Sequence, residues 1–304
     1  MCSVICATIP LQSVLVRFDY LIMPNGKKIY VLFELHIPAF FKDKEQLSSL
    51  ESMLTRANWR GQDRMHVMVE VPSFLTQQFA QNPKVTYDLV NNIGQSQSVI
   101  AEDMEIRCKS LAAYYLLSLS REDLEDETVA LEQYNAGSSW CTTGEITIRD
   151  LLQEFRTQKT DLCLDRHYTR ELEPIYHKKF DEINQAEILL QKVLDDIQAR
   201  PDERILDLVR RLYGDNHSII NRICLKGKIS DLGSHLFDLH ILRKILQSPQ
   251  KYCMVVAGNQ HGEWVCEAME HLGATYQISE GEGLVALQTG ALCALQSAMG
   301  LSQQ

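Results

Sequence analysis

Short apolar runs and stretches with helical spacing of apolar residues alternate along much of this chain. Near its start, residues 13–22 and 28–33 flank a turn with the dipeptide Asn25-Gly26, which predicts a β-hairpin. Further strands are predicted at residues 65–69, 98–101, 252–257 and 275–278. Because helical segments separate most of these strands, we expect an α/β fold with a mainly parallel central sheet flanked by helices.

The middle of the chain has a different pattern. Between residues 121 and 213 helix is predicted to follow helix, and residues 182–199 place apolar side chains on one helical face. Thr147 and Asp150 resemble the capping box that opens a helix. We therefore expect a helical insertion in the middle of an α/β core. The predicted parts are 1–120, the first part of the core; 121–228, a helical insertion or cap; and 229–304, the second part of the core with a C-terminal tail.

Polar residues follow several of the predicted strands at the point where each strand ends. Glu34 and His36 end the second hairpin strand, Glu70 ends the next strand, Arg107 follows the one after, and His261 follows a late apolar strand. One such residue is usually only a solvated strand end, but their recurrence favours a functional site. Since parallel strands share one carboxyl edge, we expect these residues to line one cleft there.

Charge and motifs exclude several classes of function. The chain has 40 acidic and 30 basic residues, a net charge of −10, and no dense basic stripe, so we expect no nucleic-acid partner. The sequence contains neither a Gly-x-Gly-x-x-Gly motif nor a P-loop, which argues against dinucleotide or ATP chemistry. It also lacks a Gly-x-Ser-x-Gly elbow, which disfavours a serine hydrolase of that type.

Cysteine usage and hydropathy indicate the compartment. The nine cysteines include no Cys-x-x-Cys pair, a pattern that suits a reducing environment and argues against a zinc knuckle. Residues 1–11 lack the positive region and full apolar core of a signal peptide, and no apolar run reaches the length of a membrane helix. We therefore expect a cytoplasmic protein with no membrane partner.

The order of the strand-end motifs resembles a known superfamily, the one that joins erythromycin esterases, ChaN-like haem-binding proteins, and the TraB and Tiki proteins. The motifs that carry the resemblance are, in order, Glu34-Leu35-His36, Glu70, Glu105-Ile106-Arg107, Gly258-Asn259-Gln260-His261 and Leu272-Gly273. They cover segments 29–36, 65–70, 98–107 and 252–273, with 230–247 before the last, and leave the helical middle uncovered. The resemblance implies an active-site set of Glu34, His36, Glu70, Arg107 and His261.

This chain departs from the superfamily pattern at two positions. Phe33 precedes the first glutamate where the family usually has Gly, and Glu105 stands in an acid-x-Arg element that is commonly Asp-x-Arg. A phenyl ring at residue 33 is expected either to narrow the approach to Glu34 or to turn inward as core.

Three functions suit this residue set. In metal-independent ester or amide hydrolysis of a small molecule or peptide, His36 would act as base, Glu34 or Glu70 would fix its tautomer, and His261 and Arg107 would stabilise the oxyanion. In metal-assisted hydrolysis, Glu34, His36, Glu70 and His261 would bind Zn²⁺, Mn²⁺ or Fe²⁺. The third possibility is a protein that binds a haem-like ligand without turnover, or an inactive scaffold of the same fold.

Overall fold

The structure, a computed structural model, describes residues 11–38, 64–70, 99–125, 143–163, 172–214 and 218–280. For residues 11–16, 34–38, 125, 143, 163, 218 and 278–280 the description covers the backbone alone. The chain divides into two compact units. The first unit comprises residues 1–71, 79–104 and 245–304, and the second comprises 72–78 and 105–244.

Strands and helices occupy most of the described residues. The strands are β1 Leu11–Ile22, β2 Lys28–Pro38, β3 Met65–Val69, β4 Val99–Asp103, β5 Tyr252–Gly258 and β6 Thr275–Glu280. The helices are α1 Cys108–Leu116, α2 Arg121–Glu125, α3 Ile148–Cys163, α4 Glu173–Asp196, α5 Ile205–Gly214, α6 Ser218–Gln247 and α7 Asn259–His271, with a 3₁₀ turn at Thr143–Glu145.

The first unit is built on a six-stranded mixed sheet with the order β4-β3-β5-β2-β1-β6. Strands β4, β3, β5 and β2 pair in parallel, whereas β1 pairs antiparallel with both β2 and β6. The central strand β5 is apolar and its residues 253–257 are fully buried, as expected for a strand covered on both faces. The α/β class is thereby confirmed, with a sheet that is mostly parallel but mixed.

The predicted hairpin is present, and its turn shows why the sequence forms it. Gly26 has φ +81°, a conformation that glycine adopts without steric cost, and its amide donates to the Met23 carbonyl at 2.8 Å. The Asn25 side chain accepts from the Lys27 amide at 3.0 Å. This turn fixes the register of β1 and β2, and through β2 the position of the residues that end it.

The described part of the second unit is helical. Its α3 begins with the predicted capping box, since Thr147 Oγ1 accepts from the Asp150 amide at 3.1 Å and Asp150 Oδ2 accepts from the Thr147 amide at 3.0 Å. Glu154 of α3 accepts from the amides of Lys109 and Ser110 at 2.7 and 2.9 Å, which satisfies donors in the first turn of α1.

Some expectations lie outside what the structure tests. The helical spacing of apolar residues within 43–55 predicts a helix, and residues 72–89 are predicted as a mostly helical connection, but both segments fall on residues that are not described. The boundaries 1–120, 121–228 and 229–304 also stay predictions. Within the described ranges, no helix has the combination of length and apolar character needed to cross a membrane.

Candidate active site

The carboxyl ends of β3 and β5 bring Glu70 to the backbone of Gly258. The Glu70 amide continues the parallel ladder by donating to the Val256 carbonyl at 2.9 Å. Its side chain turns to the neighbouring strand, where Oε2 accepts from the Gly258 amide at 2.7 Å. A Cβ at residue 258 would lie 3.4 Å from Glu70 Oε2, in ordinary van der Waals contact with this carboxylate. The sheet therefore holds Glu70 in a fixed position.

His261 lies beside this carboxylate, on the first turn of α7. Its Nε2 is 3.9 Å from Glu70 Oε1, within ion-pair range but too long for a hydrogen bond. Both residues are 8% exposed, so the pair is largely shielded from water. The N-terminus of a helix attracts negative charge, and Gly258 is the N-cap of α7, so the Glu70 carboxylate lies at a favourable end of this helix.

The placement of His261 differs from the sequence expectation in one respect. The sequence predicts a helix from residue 264, with His261 on the loop before it, whereas α7 begins at Asn259. In the segment Gly258–His261, the first residue therefore ends β5 and the other three belong to the first turn of α7. A histidine on a helix is held more firmly than one on a loop, because the helical backbone fixes its direction.

Phe33 belongs to the core and does not line a cleft. Its ring is fully buried and rests on the backbone of Gly262, where a Cβ would lie 2.7 Å from Phe33 Cδ1. The guanidinium carbon of Arg17 stands 4.5 Å from the centre of the same ring. Of the two expectations for this residue, the structure shows the inward-turned ring. Gly262 was not singled out from the sequence, although a glycine directly after His261 within a helix is a signal of close packing.

The cluster of Asp19 and Cys266 attaches α7 to β1. Cys266 Sγ donates to Asp19 Oδ2 at 3.4 Å, and Arg17 donates to both carboxylate oxygens of Asp19 at 3.1 and 2.7 Å. Burial, together with the Asp19 carboxylate, raises the pKa of the Cys266 thiol well above its ordinary value. The thiol therefore stays protonated and serves as a donor in the core.

The backbone of β2 places Glu34 next to the same site. Glu34 pairs with Gly258 in the parallel register of β2 and β5, so Glu34 and Glu70 lie on the two strands that flank β5. Neighbouring strands are about 4.8 Å apart, so the two backbones are separated by roughly two strand spacings. The side chains of Glu34 and His36 lie outside the described part of the structure, and their participation stays a prediction.

Arg107 is described within the second unit, where its contacts are structural. Its amide and Nε donate to Glu105 Oε1 at 2.8 Å each, and Nη2 donates to Oε2 at 2.7 Å. The guanidinium carbon lies 4.1 Å from the centre of the Phe237 ring, and the residue is 8% exposed. Glu105 thus neutralises Arg107 and fixes its orientation. Whether Arg107 contacts a substrate stays a prediction.

The described donors fall short of a metal site. Among the residues whose side chains are described, no group of three or more His, Cys, Asp or Glu residues could hold a metal ion. Glu70 and His261 supply two ligands, whereas a catalytic zinc or non-haem iron site takes three from the protein. A metal here would therefore need Glu34 or His36 as well.

Comparisons with protein-family models, with curated proteins and with solved structures find no match to this chain. The resemblance to the erythromycin esterase, ChaN, TraB and Tiki superfamily accordingly remains a hypothesis based on the motifs. The chemistry has to be inferred from the site itself.

Proposed function

We propose that this protein is a hydrolase that cleaves an ester or amide bond in a small-molecule or peptide substrate at the carboxyl edge of its sheet. The observation that supports this best is the pair formed by Glu70 and His261, 3.9 Å apart and largely buried. A carboxylate beside an imidazole is the combination that general-base hydrolysis uses, because the carboxylate orients the ring and stabilises its protonated form.

The orientation of the pair assigns roles to its atoms. The Gly258 amide holds Glu70, and Glu70 faces Nε2 of His261. The tautomer with a proton on Nε2 leaves Nδ1 to take a proton from water, which then attacks the carbonyl carbon of the substrate. The same nitrogen returns the proton to the leaving group. The separation of 3.9 Å has to shorten in the substrate complex, as catalytic contacts do when a substrate binds.

The neighbouring strand offers the next contacts to the substrate. Glu34 and His36 follow the buried part of β2, and the backbone of Glu34 pairs with Gly258. In the proposed site they bind and orient the substrate or share the proton transfer with His261. This assignment differs from the sequence-based one, in which His36 is the base, because the described contact is the one between Glu70 and His261.

The experiment is ester and amide hydrolysis by the purified full chain, with nitrophenyl esters and peptide nitroanilides as substrates. We expect His261→Gln and Glu70→Gln to lower kcat for the peptide nitroanilides by about 100-fold or more, the usual contribution of a general base. Glu263→Gln and His271→Gln, which change exposed residues of the same helix, serve as controls and should retain activity. Circular dichroism and thermal melts establish that each variant is folded.

Two further measurements separate the remaining alternatives. Metal analysis and chelation distinguish metal-assisted from metal-independent hydrolysis, because a chelator abolishes only the former. Titration with haemin tests the binding alternative through the absorbance of the bound porphyrin. Hydrolysis of the peptide nitroanilides that survives both His261→Gln and Glu70→Gln would refute the proposed site, and stoichiometric haem binding without any hydrolysis would replace the proposed function.

A further inference from the structure

A second group of polar side chains lies at the opposite, amino-terminal edge of the parallel strands. Ser248, between the end of α6 and the start of β5, places its Oγ 2.9 Å from Nδ1 of His66 on β3. The other ring nitrogen of His66, Nε2, is 3.1 Å from Oε1 of Glu102 on β4. A serine, a histidine and a carboxylate are therefore in sequential contact, all within the first unit.

Strand register explains how three distant segments meet. His66 pairs with Ile100 in the parallel ladder of β3 and β4, so Glu102, two residues further along β4, is its diagonal neighbour on the same face. His66 also pairs with Cys253 of β5, which brings the turn before β5 close to the imidazole. The sheet thus fixes the ring between the hydroxyl and the carboxylate.

This group is separate from the site of Glu70 and His261. Three residues of β3 lie between His66 and Glu70, and the four steps along the strand span roughly 13 Å. Ser248 is 7% exposed, but Gln247 and Pro249 on either side of it are exposed, so the hydroxyl lies just beneath the surface.

We propose that Ser248, His66 and Glu102 form a second reactive site, in which Ser248 is a nucleophile toward esters and other activated acyl or phosphoryl compounds. This order of contacts is the one that activates a serine. The hydroxyl contacts one nitrogen of the imidazole, which can accept its proton, and the other nitrogen of the ring faces a carboxylate. Here the hydroxyl is at Nδ1 and the carboxylate at Nε2, which requires the tautomer protonated on Nε2. At 3.1 Å the two atoms are within ion-pair range but are not aligned as a hydrogen bond, so the ring has to rotate to point that N–H at Glu102 Oε1.

The proposed reaction balances with the residues present. Ser248 Oγ forms a bond to the carbonyl carbon while its proton moves to Nδ1 of His66, and Glu102 stabilises the imidazolium. The ester C–O bond then breaks, and the alkoxide leaves with the proton from His66. Water hydrolyses the acyl-serine by the same route in reverse, so that no other reactant is needed.

Two neighbouring residues are consistent with this role. Lys27 donates to the carbonyls of Ile245 and Ser248 at 2.8 and 2.7 Å, which holds the backbone of the serine turn in place. Burial raises the pKa of the nearby Cys253 thiol, so this cysteine is protonated and does not compete as the nucleophile.

The test is covalent labelling of the full-length protein with a fluorophosphonate probe, followed by mass spectrometry of its peptides. We expect one adduct on Ser248, formed as the P–O bond replaces the P–F bond. His66→Gln should slow labelling by about 100-fold, the usual contribution of a general base. Glu102→Gln should slow it by roughly tenfold or more, because the carboxylate orients and stabilises the imidazole.

Three controls make the outcome decisive. Ser118→Ala removes another serine that follows a helix and should leave labelling unchanged. Glu70→Gln and His261→Gln should also leave it unchanged, which separates this site from the proposed hydrolytic one. An intact wild-type protein that gives no adduct at Ser248, or an adduct whose rate is independent of His66, would show that the serine only forms the turn through its bond to the Gln250 amide at 3.3 Å. Mapping the adduct on the wild type needs no variant to fold.

Discussion

Phe33 of β2 and Gly262 of α7 are in direct contact, ring against backbone, with a Cβ at residue 262 placed 2.7 Å from Phe33 Cδ1. Real Cβ atoms essentially never come this close to another heavy atom, so this pair requires glycine on the helix. His261 is the residue before Gly262, and the contact therefore helps set the distance from His261 to Glu70. Through it the packing of an apolar ring is coupled to the geometry of the candidate site.

The first prediction is that Gly262→Ala destabilises the protein by about 1–3 kcal/mol, the usual cost of overpacking a core. The effect runs against helix propensity, which favours alanine over glycine by up to about 1 kcal/mol. Gly227→Ala in α6 is the matched control, since a Cβ there meets nothing within 4 Å and should leave stability unchanged or raise it. Urea denaturation measures both. If Gly262→Ala stabilised the protein as much as Gly227→Ala, the close contact between Phe33 and Gly262 would be disproved.

The second prediction concerns Phe33→Gly. Because the ring is fully buried, its loss should cost about 3–5 kcal/mol, and glycine within a strand adds to that cost. No gain in ligand affinity or hydrolysis should accompany it, since the ring does not block a cleft. Phe33→Leu keeps most of the apolar volume and should be milder. A rise in hydrolysis in the glycine variant, measured under conditions in which it is folded, would restore the idea of an occluding ring.

Sequence patterns predicted some elements of this molecule better than others. The hairpin and the placement of Glu70 at a strand end follow from local periodicity and from the Asn25-Gly26 turn, which depend on neighbouring residues only. The start of α7 was missed, because its N-cap is Gly258, without a serine, threonine or aspartate to mark it.

Long-range pairings were beyond what local sequence contains. The strand order places β5, which is late in the chain, between β2 and β3, and this order alone brings Gly258 to Glu70. The contact of Ser248 with His66 depends on the same order, and neither residue stands in a recognisable motif. The ion pair between Glu105 and Arg107 joins residues that are close in sequence. That both side chains are buried, so that Glu105 neutralises Arg107, is visible only in the structure.

The third prediction uses a double-mutant cycle on Glu105 and Arg107. Their side chains are 1% and 9% exposed, so Arg107→Met takes the guanidinium away from a buried carboxylate and should cost about 3–5 kcal/mol. The double variant Glu105→Gln with Arg107→Met should recover part of this loss, because it removes both charges. Urea denaturation of all four proteins gives the coupling energy. Additive losses would show that the pair is not coupled and would leave Arg107 available for a substrate.

The last prediction is a pH dependence that originates at His235 in α6. Burial, and then the positive charge of Lys179, lower the pKa of His235 below its usual 6.5, although Glu182, Asp238 and Asp231 act in the opposite direction. The unfolded chain therefore binds a proton more readily than the folded one, so this residue destabilises the fold progressively as the pH falls below about 6.5. His235→Gln should reduce the loss of unfolding free energy between about pH 7.5 and about pH 5.5. His177→Gln, at a site whose side chain is 76% exposed on α4, should retain the wild-type loss. If His235→Gln lost as much unfolding free energy over this pH range as the wild type, the pH dependence would originate at other residues, since glutamine cannot titrate.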